Sequence, residues 1–205
     1  WLHTNQSLVI KPVDSSGSKG VSILKNDSLP LLDRYIDRAF QFSMSNKVII
    51  ETFIEKKGKQ ICGDGYMEQG HLKFIEFGDG HFYDTPPFLA PYAETFPSTH
   101  STQTLQMVRK KLELILQKAH FHTGAFNFDV MFTTNNEVFV NEIGPRSGGN
   151  YLPLAIKCSS NVDMIAAVVE ASINRKHRLD TNQPRSSYFW ACYMIHSVKK
   201  GVLKN

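Results

Sequence analysis

The residues best suited to chemistry are two carboxylates, Asp129 and Glu142, and the arginine that follows them, Arg146. They lie within residues 124–149. Two runs rich in β-branched and aromatic residues flank Asn135-Asn136 there, which predicts a β-hairpin, because Asn tolerates the positive φ of a two-residue turn. With Asn135 and Asn136 as the loop, Thr134 pairs with Glu137 and, counting back along both strands, Asp129 pairs with Glu142. Like charges directly opposed destabilise a sheet. The commonest reason to keep them there is a shared hard cation held by carboxylate oxygens, Mg2+ above all. The alternatives are a register slipped by one residue, or two carboxylates that simply face water. Gly144-Pro145-Arg146-Ser147-Gly148-Gly149 is a flexible loop carrying one arginine just beyond the strand. That placement suits an anionic substrate or a developing negative charge.

A second candidate lies near the start. Leu8-Val9-Ile10-Lys11 predicts a short buried strand stopped by Pro12, and Val21–Leu24 a second strand. The loop between them includes Ser15, Ser16, Gly17, Ser18, Lys19 and Gly20, whose backbone N–H groups can wrap phosphate oxygens while Lys11 and Lys19 supply charge. It has neither the Walker A spacing nor a dinucleotide fingerprint, and a plain solvated turn is the competing reading. Residues 48–54 predict a hydrophobic strand containing Glu51, a carboxylate that needs a partner if buried.

The elements that must position these residues follow from periodicity. Leu32, Tyr35, Ile36, Ala39 and Phe40 mark a helix over 31–42. Residues 60–67 and 71–77 predict two strands of an antiparallel meander. Residues 78–100 are Pro-rich and irregular, as in functional or mobile loops. Leu105, Val108, Leu112, Ile115 and Ala119 mark the clearest helix, 101–119, capped by Ser101 or Thr102, with Arg109 on its wet face. Val162, Ile165, Ala166, Val169 and Ile173 mark another helical stripe. Residues 180–187 predict a polar surface connection and 188–195 a buried strand.

The chain has 205 residues, 41% hydrophobic and 20% charged, an ordinary globular balance. Its formal charge of +4 comes with no dense Lys/Arg block, which argues against nucleic acid but suits a small anionic ligand such as a nucleotide. No run of about 18 apolar residues predicts a membrane span, and the first residues do not form a signal peptide pattern. Cys62, Cys158 and Cys192 are widely spaced and read as reduced thiols of a cytoplasmic protein.

Taken in order, the motifs resemble the ATP-grasp superfamily over about residues 8–173: Lys11-Pro12, the Ser/Gly/Lys flap, Glu51-Thr52-Phe53-Ile54, a meander, a long helix, Asp129 with Glu142 thirteen residues on, Pro145-Arg146 and Gly148-Gly149. The resemblance implies an α+β fold in which two α+β subdomains with antiparallel sheets grip ATP between them. Residues 1–50 would be the small subdomain, 51–180 the large one, and 181–205 the start of a C-terminal extension. It implies that Lys11 touches the α/β-phosphates and Ser15–Gly20 folds over them. Glu51 and the backbone of Phe53-Ile54 would read the adenine, and Gln60 would sit where relatives often carry a ribose-binding Glu. Asp129 and Glu142 would hold one or two Mg2+ ions, or Mn2+ in their place, and Arg146 would face the acyl phosphate or tetrahedral intermediate. The implied activity is carboxylate–amine ligation through an acyl phosphate, with an amino-acid-type substrate by analogy alone. The alternatives are a bicarbonate-activating enzyme akin to carboxylases or carbamoyl phosphate synthetase, and a degenerate nucleotide-binding module. Gly144, where many relatives have Asn, and Gln60 speak for the last. Expected partners are ATP and a small carboxylate or amine substrate, with no nucleic acid or membrane; a homodimer is compatible. Because only a short segment precedes the Lys-Pro strand, the chain reads as an excised ATP-grasp fragment.

Overall fold

The computed structural model describes residues 6–83, 89–173, 179–195 and 201–202. The chain divides into two compact units, one of Trp1–Glu55 with Tyr83–Ala90, the other of Lys56–Phe82 with Pro91–Asn205.

The first unit holds β1 (Leu8–Pro12), β2 (Ser22–Leu24), a 3-10 turn (Asn26–Leu31), α1 (Leu32–Gln41) and β3 (Val48–Thr52). The strands form one antiparallel sheet in the order β2-β1-β3. Period-two alternation sends Leu8, Ile10 and Leu24 to one face, where they pack with Ala39 against Leu32, Tyr35 and Ile36 of α1. Lys11 and Glu51 stand on the opposite face.

The second unit holds β4 (Gln60–Glu68), β5 (His71–His81), β6 (Ala93–Phe96), α2 (Thr102–Lys118), β7 (Gly124–Phe132), β8 (Val138–Gly144), α3 (Leu152–Ser160), α4 (Met164–Ser172) and β9 (Trp190–Tyr193). Its six strands form an antiparallel sheet in the order β8-β7-β4-β5-β6-β9. Each face has its own core. Val108, Leu112 and Leu116 of α2 pack on Ile61, Met67, Ile75, Phe126, Phe128 and Val130. Leu152, Ala155 and Ile156 of α3 and Met164 and Ala167 of α4 pack on Tyr66, Phe74, Phe96 and Ala125. Gly63 and Gly65 in β4 lie under the rings of Phe128 and Phe126, where a side chain would collide with them.

Several expectations change in this frame. The irregular stretch 78–100 contains the end of β5 and the whole of β6. The strand within 188–195 is an exposed edge, not a buried core strand: Tyr188 is 73% and Tyr193 61% exposed. The stripe Ile165, Val169, Ile173 faces outward, and Met164 and Ala167 face the core. Arg109 is not on a wet face; its guanidinium donates to the Leu72 carbonyl at 2.7 Å, while Glu113 accepts from the Leu72 N–H at 3.0 Å. Helix α2 therefore holds the start of β5 by backbone polar groups as well as by its apolar stripe. Ser101 caps α2, accepting from the Thr104 N–H.

Candidate functional site

In the first unit, Lys11 and Glu51 are diagonal neighbours on adjacent strands, since Lys11 pairs with Ile49 and Val9 with Glu51. Their side chains form an ion pair of 2.5 Å. Glu51 thus has its partner, and Lys11 is held in place on the sheet face. After Pro12 the chain turns over the flap. Asp14 anchors its base: Ser43 Oγ donates to it at 2.9 Å, and the N–H groups of Met44 and Ser45 at 3.1 and 2.6 Å. These bonds hold the Asp14 carboxyl below the usual range, the Ser45 hydrogen bond foremost and against the effect of desolvation. Within the flap, Ser15 Oγ donates to the Lys19 carbonyl, and Ser18 Oγ to the Leu89 carbonyl. Gly17 and Ser18 have positive φ, the conformation that turns successive N–H groups to one side. Gly20 closes the flap at φ +78°, and a Cβ there would lie 2.9 Å from Phe42 Cβ and Pro12 Cγ. The Phe53 N–H donates to the Ser7 carbonyl at 2.8 Å, fixing the exit of β3 ahead of Ile54.

In the second unit, Asp129 of β7 lies opposite Glu142 of β8, but the turn that was expected to put it there is different. The Thr133 N–H donates to the Glu137 carbonyl and the Asn136 N–H to the Thr133 carbonyl, with Asn136 at φ +61°. The loop is therefore three residues, Thr134–Asn136, not the two-residue Asn135-Asn136 turn. This displaces the register by one, so Val130 pairs with Val140. A bulge at Asn141 restores it, so Asp129 meets Glu142, Phe128 meets Ile143 and Asn127 meets Gly144.

Asp129, Glu142, Asn127 and Gly144 thus share one sheet face, the face that α3 and α4 cover further along. Gln60 of β4 donates its amide to Asp129 Oδ1 at 2.9 Å. The family resemblance implies a ribose contact for Gln60; in the structure its amide is bonded to this carboxylate. Burial pushes the Asp129 carboxyl up, the Gln60 bond opposes this, and the Glu142 charge adds to it. Two further carboxylates escaped the sequence reading. Asp64 in β4 is fully buried and accepts the Gly148 N–H with both oxygens at 3.0 and 2.9 Å, which ties the glycine loop to the sheet. Burial pushes it to about 7, against the Gly148 bond and the Arg146 charge. Glu94 in β6 is pushed to about 7 by burial and by the charges of Asp129 and Asp64. The alternation Cys62-Gly63-Asp64-Gly65 was the available signal for Asp64: a carboxylate in phase with the core face of a strand. Glu94 lay in a stretch without readable periodicity. Arg146 is exposed, and its guanidinium donates to the Ser147 carbonyl at 2.9 Å.

Among the described residues, no three His, Cys, Asp or Glu side chains already form a metal cage. The set Asp129–Glu142 offers two carboxylates, oxygen donors only, on a face whose buried carboxylates repel one another. That is the donor chemistry of a hard divalent cation bound through one or two carboxylates together with substrate phosphates. Among the described residues no single helix is long and apolar enough to cross a membrane.

No family model matches the chain. A D-alanine–D-alanine ligase of Sulfurimonas denitrificans is 30% identical over 151 residues, which cover 71% of this chain and 42% of that protein. A D-alanine–D-alanine ligase of Helicobacter pylori is 30% identical over 163 residues, 74% of this chain and 44% of that protein. Among solved structures, the biotin carboxylase domain of the Hydrogenobacter thermophilus 2-oxoglutarate carboxylase, in complex with MgADP, ADP and bicarbonate, superposes with a TM-score of 0.73 at 12% identity, covering 90% of this chain and 40% of that one. An L-amino acid ligase from Bacillus licheniformis superposes with a TM-score of 0.68 at 16% identity, covering 85% and 40%. The two antiparallel sheets and their helices are thus an ATP-grasp fold. The chain belongs to the ATP-grasp superfamily, of which it spans about two fifths of the length of the curated relatives it matches.

Proposed function

We propose that this chain carries the nucleotide- and cation-handling residues of an ATP-dependent carboxylate–amine ligase, with ATP, Mg2+ and an amino-acid-type acceptor as its ligands. The observation that carries this reading is the opposition of Asp129 and Glu142 on adjacent strands, followed by Arg146. The identity to two D-alanine–D-alanine ligases supports the reaction class.

In this reading a substrate carboxylate oxygen attacks the γ-phosphorus of ATP, the bond to ADP breaks, and an acyl phosphate forms. An amine then attacks the acyl carbon, phosphate leaves, and the amine loses a proton to give the amide. Lys11, freed from Glu51 by competition, neutralises phosphate oxygens. The N–H groups of Ser15–Gly20 bind further oxygens without adding charge. Glu51 and the backbone of Phe53 and Ile54 orient the base. Asp129 and Glu142 would hold Mg2+, which when bound neutralises phosphate charge and fixes its geometry. Gln60 orients Asp129, and Arg146 stabilises charge on the acyl phosphate or the tetrahedral carbon.

The test is calorimetry of a non-hydrolysable ATP analogue with and without Mg2+. Mg2+-dependent binding that disappears in Glu142→Ala and weakens in Lys11→Met supports the reading. Nucleotide binding that is indifferent to Mg2+ and to Glu142→Ala refutes it.

A further inference from the structure

The Asn127 side-chain oxygen is buried and has no hydrogen-bond partner among the described residues. Leaving a buried acceptor unpaired is destabilising, so its position calls for a reason. Asn127 lies two residues before Asp129 on the same strand, hence on the same sheet face, with α-carbons roughly 6.6 Å apart. Its cross-strand partner is Gly144, two residues after Glu142. Gly144 has no side chain, and a Cβ built there would run into Asn127 Oδ1. The carboxamide oxygen therefore fills the space that the absent side chain leaves, beside the two opposed carboxylates. Any other residue at 144 would push it away.

Resting on the reading of Asp129 and Glu142 as cation ligands, we infer that Asn127 supplies a third, neutral oxygen donor to that cation. A carboxamide oxygen is a hard donor suited to Mg2+ or Mn2+. Binding would give the orphaned oxygen its missing partner, and a neutral donor adds no further repulsion among Asp64, Glu94, Asp129 and Glu142. Gly144 is then a specificity-determining position: its lack of a side chain admits the Asn127 oxygen.

The test measures Mn2+ binding by electron paramagnetic resonance in the presence of a non-hydrolysable ATP analogue, for the natural chain, Asn127→Ala, Asn127→Asp and Glu142→Ala. Urea unfolding in chelator checks the fold of each. Asn127→Ala should weaken Mn2+ binding by about tenfold, within the range for loss of a metal-site partner, without losing stability in chelator. Asn127→Asp should be less stable in chelator and regain that stability with Mn2+, because a third carboxylate needs the cation. If Glu142→Ala loses Mn2+ while both Asn127 variants bind it as the natural chain does, the inference is overturned and the site reading stands. If the natural chain binds no Mn2+, or Glu142→Ala binds it unchanged, both fall. Should Asn127→Ala fail to fold, Asn127→Asp decides alone: chelator-sensitive stability restored by Mn2+ supports the inference, and Mn2+-independent stability overturns it.

Discussion

Arg185→Ala tests how the second unit holds its sheet to α3. Glu76 of β5 is almost fully buried, accepts from Ser159 Oγ at 3.1 Å and pairs with Arg185, whose side chain is 54% exposed. The same segment is tied to α3 through the Ser186 N–H, which donates to the Ser159 carbonyl, and Asn161, which donates to the Pro184 carbonyl. Removing one partner of a buried ion pair costs roughly 3–5 kcal/mol, and an exposed pair contributes under about 1 kcal/mol. A half-exposed arginine over a buried glutamate places Arg185→Ala at about 2–3 kcal/mol. The loss should also depend on pH. Burial already raises the Glu76 carboxyl, and Arg185 and Ser159 hold it down. In Arg185→Ala it rises further. A carboxyl raised in the folded state favours the protonated form, so stability is full below the ordinary glutamate range and is lost as pH rises toward the folded value. The deficit of the variant should therefore be small near pH 4 and larger at pH 8. Urea unfolding followed by Trp190, whose indole N–H donates to Ser186 Oγ, reports this unit. In a Glu76→Gln background, Arg185→Ala strands no charge and should cost under about 1 kcal/mol. An equal loss at both pH values, or an equal loss in the Gln background, would refute the reasoning.

Two further outcomes follow from local geometry. Gly20→Ala forces a side chain into positive φ and against Phe42 and Pro12, and should destabilise the first unit by roughly 1–3 kcal/mol; faster amide exchange in β1 with unchanged exchange in β7 checks it. Asp79 feels burial, which raises its carboxyl, but bonds from Ser98 Oγ at 2.6 Å and from the Thr99 hydroxyl at 2.5 Å and N–H at 3.0 Å, with the Lys59 charge, bring it below the usual range. A depressed carboxyl contributes stability above its unfolded value and loses it as pH falls through the folded one, so Asp79→Asn should flatten the acid limb of the stability–pH profile below about pH 4, as acid-induced unfolding of both proteins will show.

Much of the fold was legible because long amphipathic segments carry strong periodicity. Val108 and Leu112 of α2 were identified by spacing alone and are fully buried. Helix α4 turns Met164 and Ala167 to the core in place of Ile165 and Val169 for a physical reason. Its residues Met164–Ser172 are nearly all apolar, so a 3.6 period fits more than one stripe, and packing against Phe96 and Tyr66 selects the smaller Ala167 over Ile165 and Val169. The strand β6 was lost among prolines, although its Ala93 and Phe96 are buried. The partner of Glu51 was unreadable because the pair is diagonal across β1 and β3, and no local pattern reports which strands become neighbours.

The hairpin shows how a correct pairing can be reached through an incorrect turn. A three-residue loop with a regular ladder would have set Asp129 against Asn141 and turned Glu142 to the α2 face, separating the carboxylates. The bulge at Asn141 cancels the extra loop residue. Its signal was present in the sequence: the apolar positions facing α2 are Val138, Val140 and Ile143, a step of two and then a step of three. A step of three in a strand requires one residue to leave the alternation. That residue is Asn141, immediately before Glu142. Bulges also sharpen twist and re-aim the side chains beside them, and this one returns Glu142 to the sheet face of Asp129. The regular three-pair ladder that follows, from Asp129 with Glu142 to Asn127 with Gly144, then keeps Asn127 and Gly144 on that same face. The site is thus specified less by the two carboxylates than by the odd step in the apolar pattern that makes them meet.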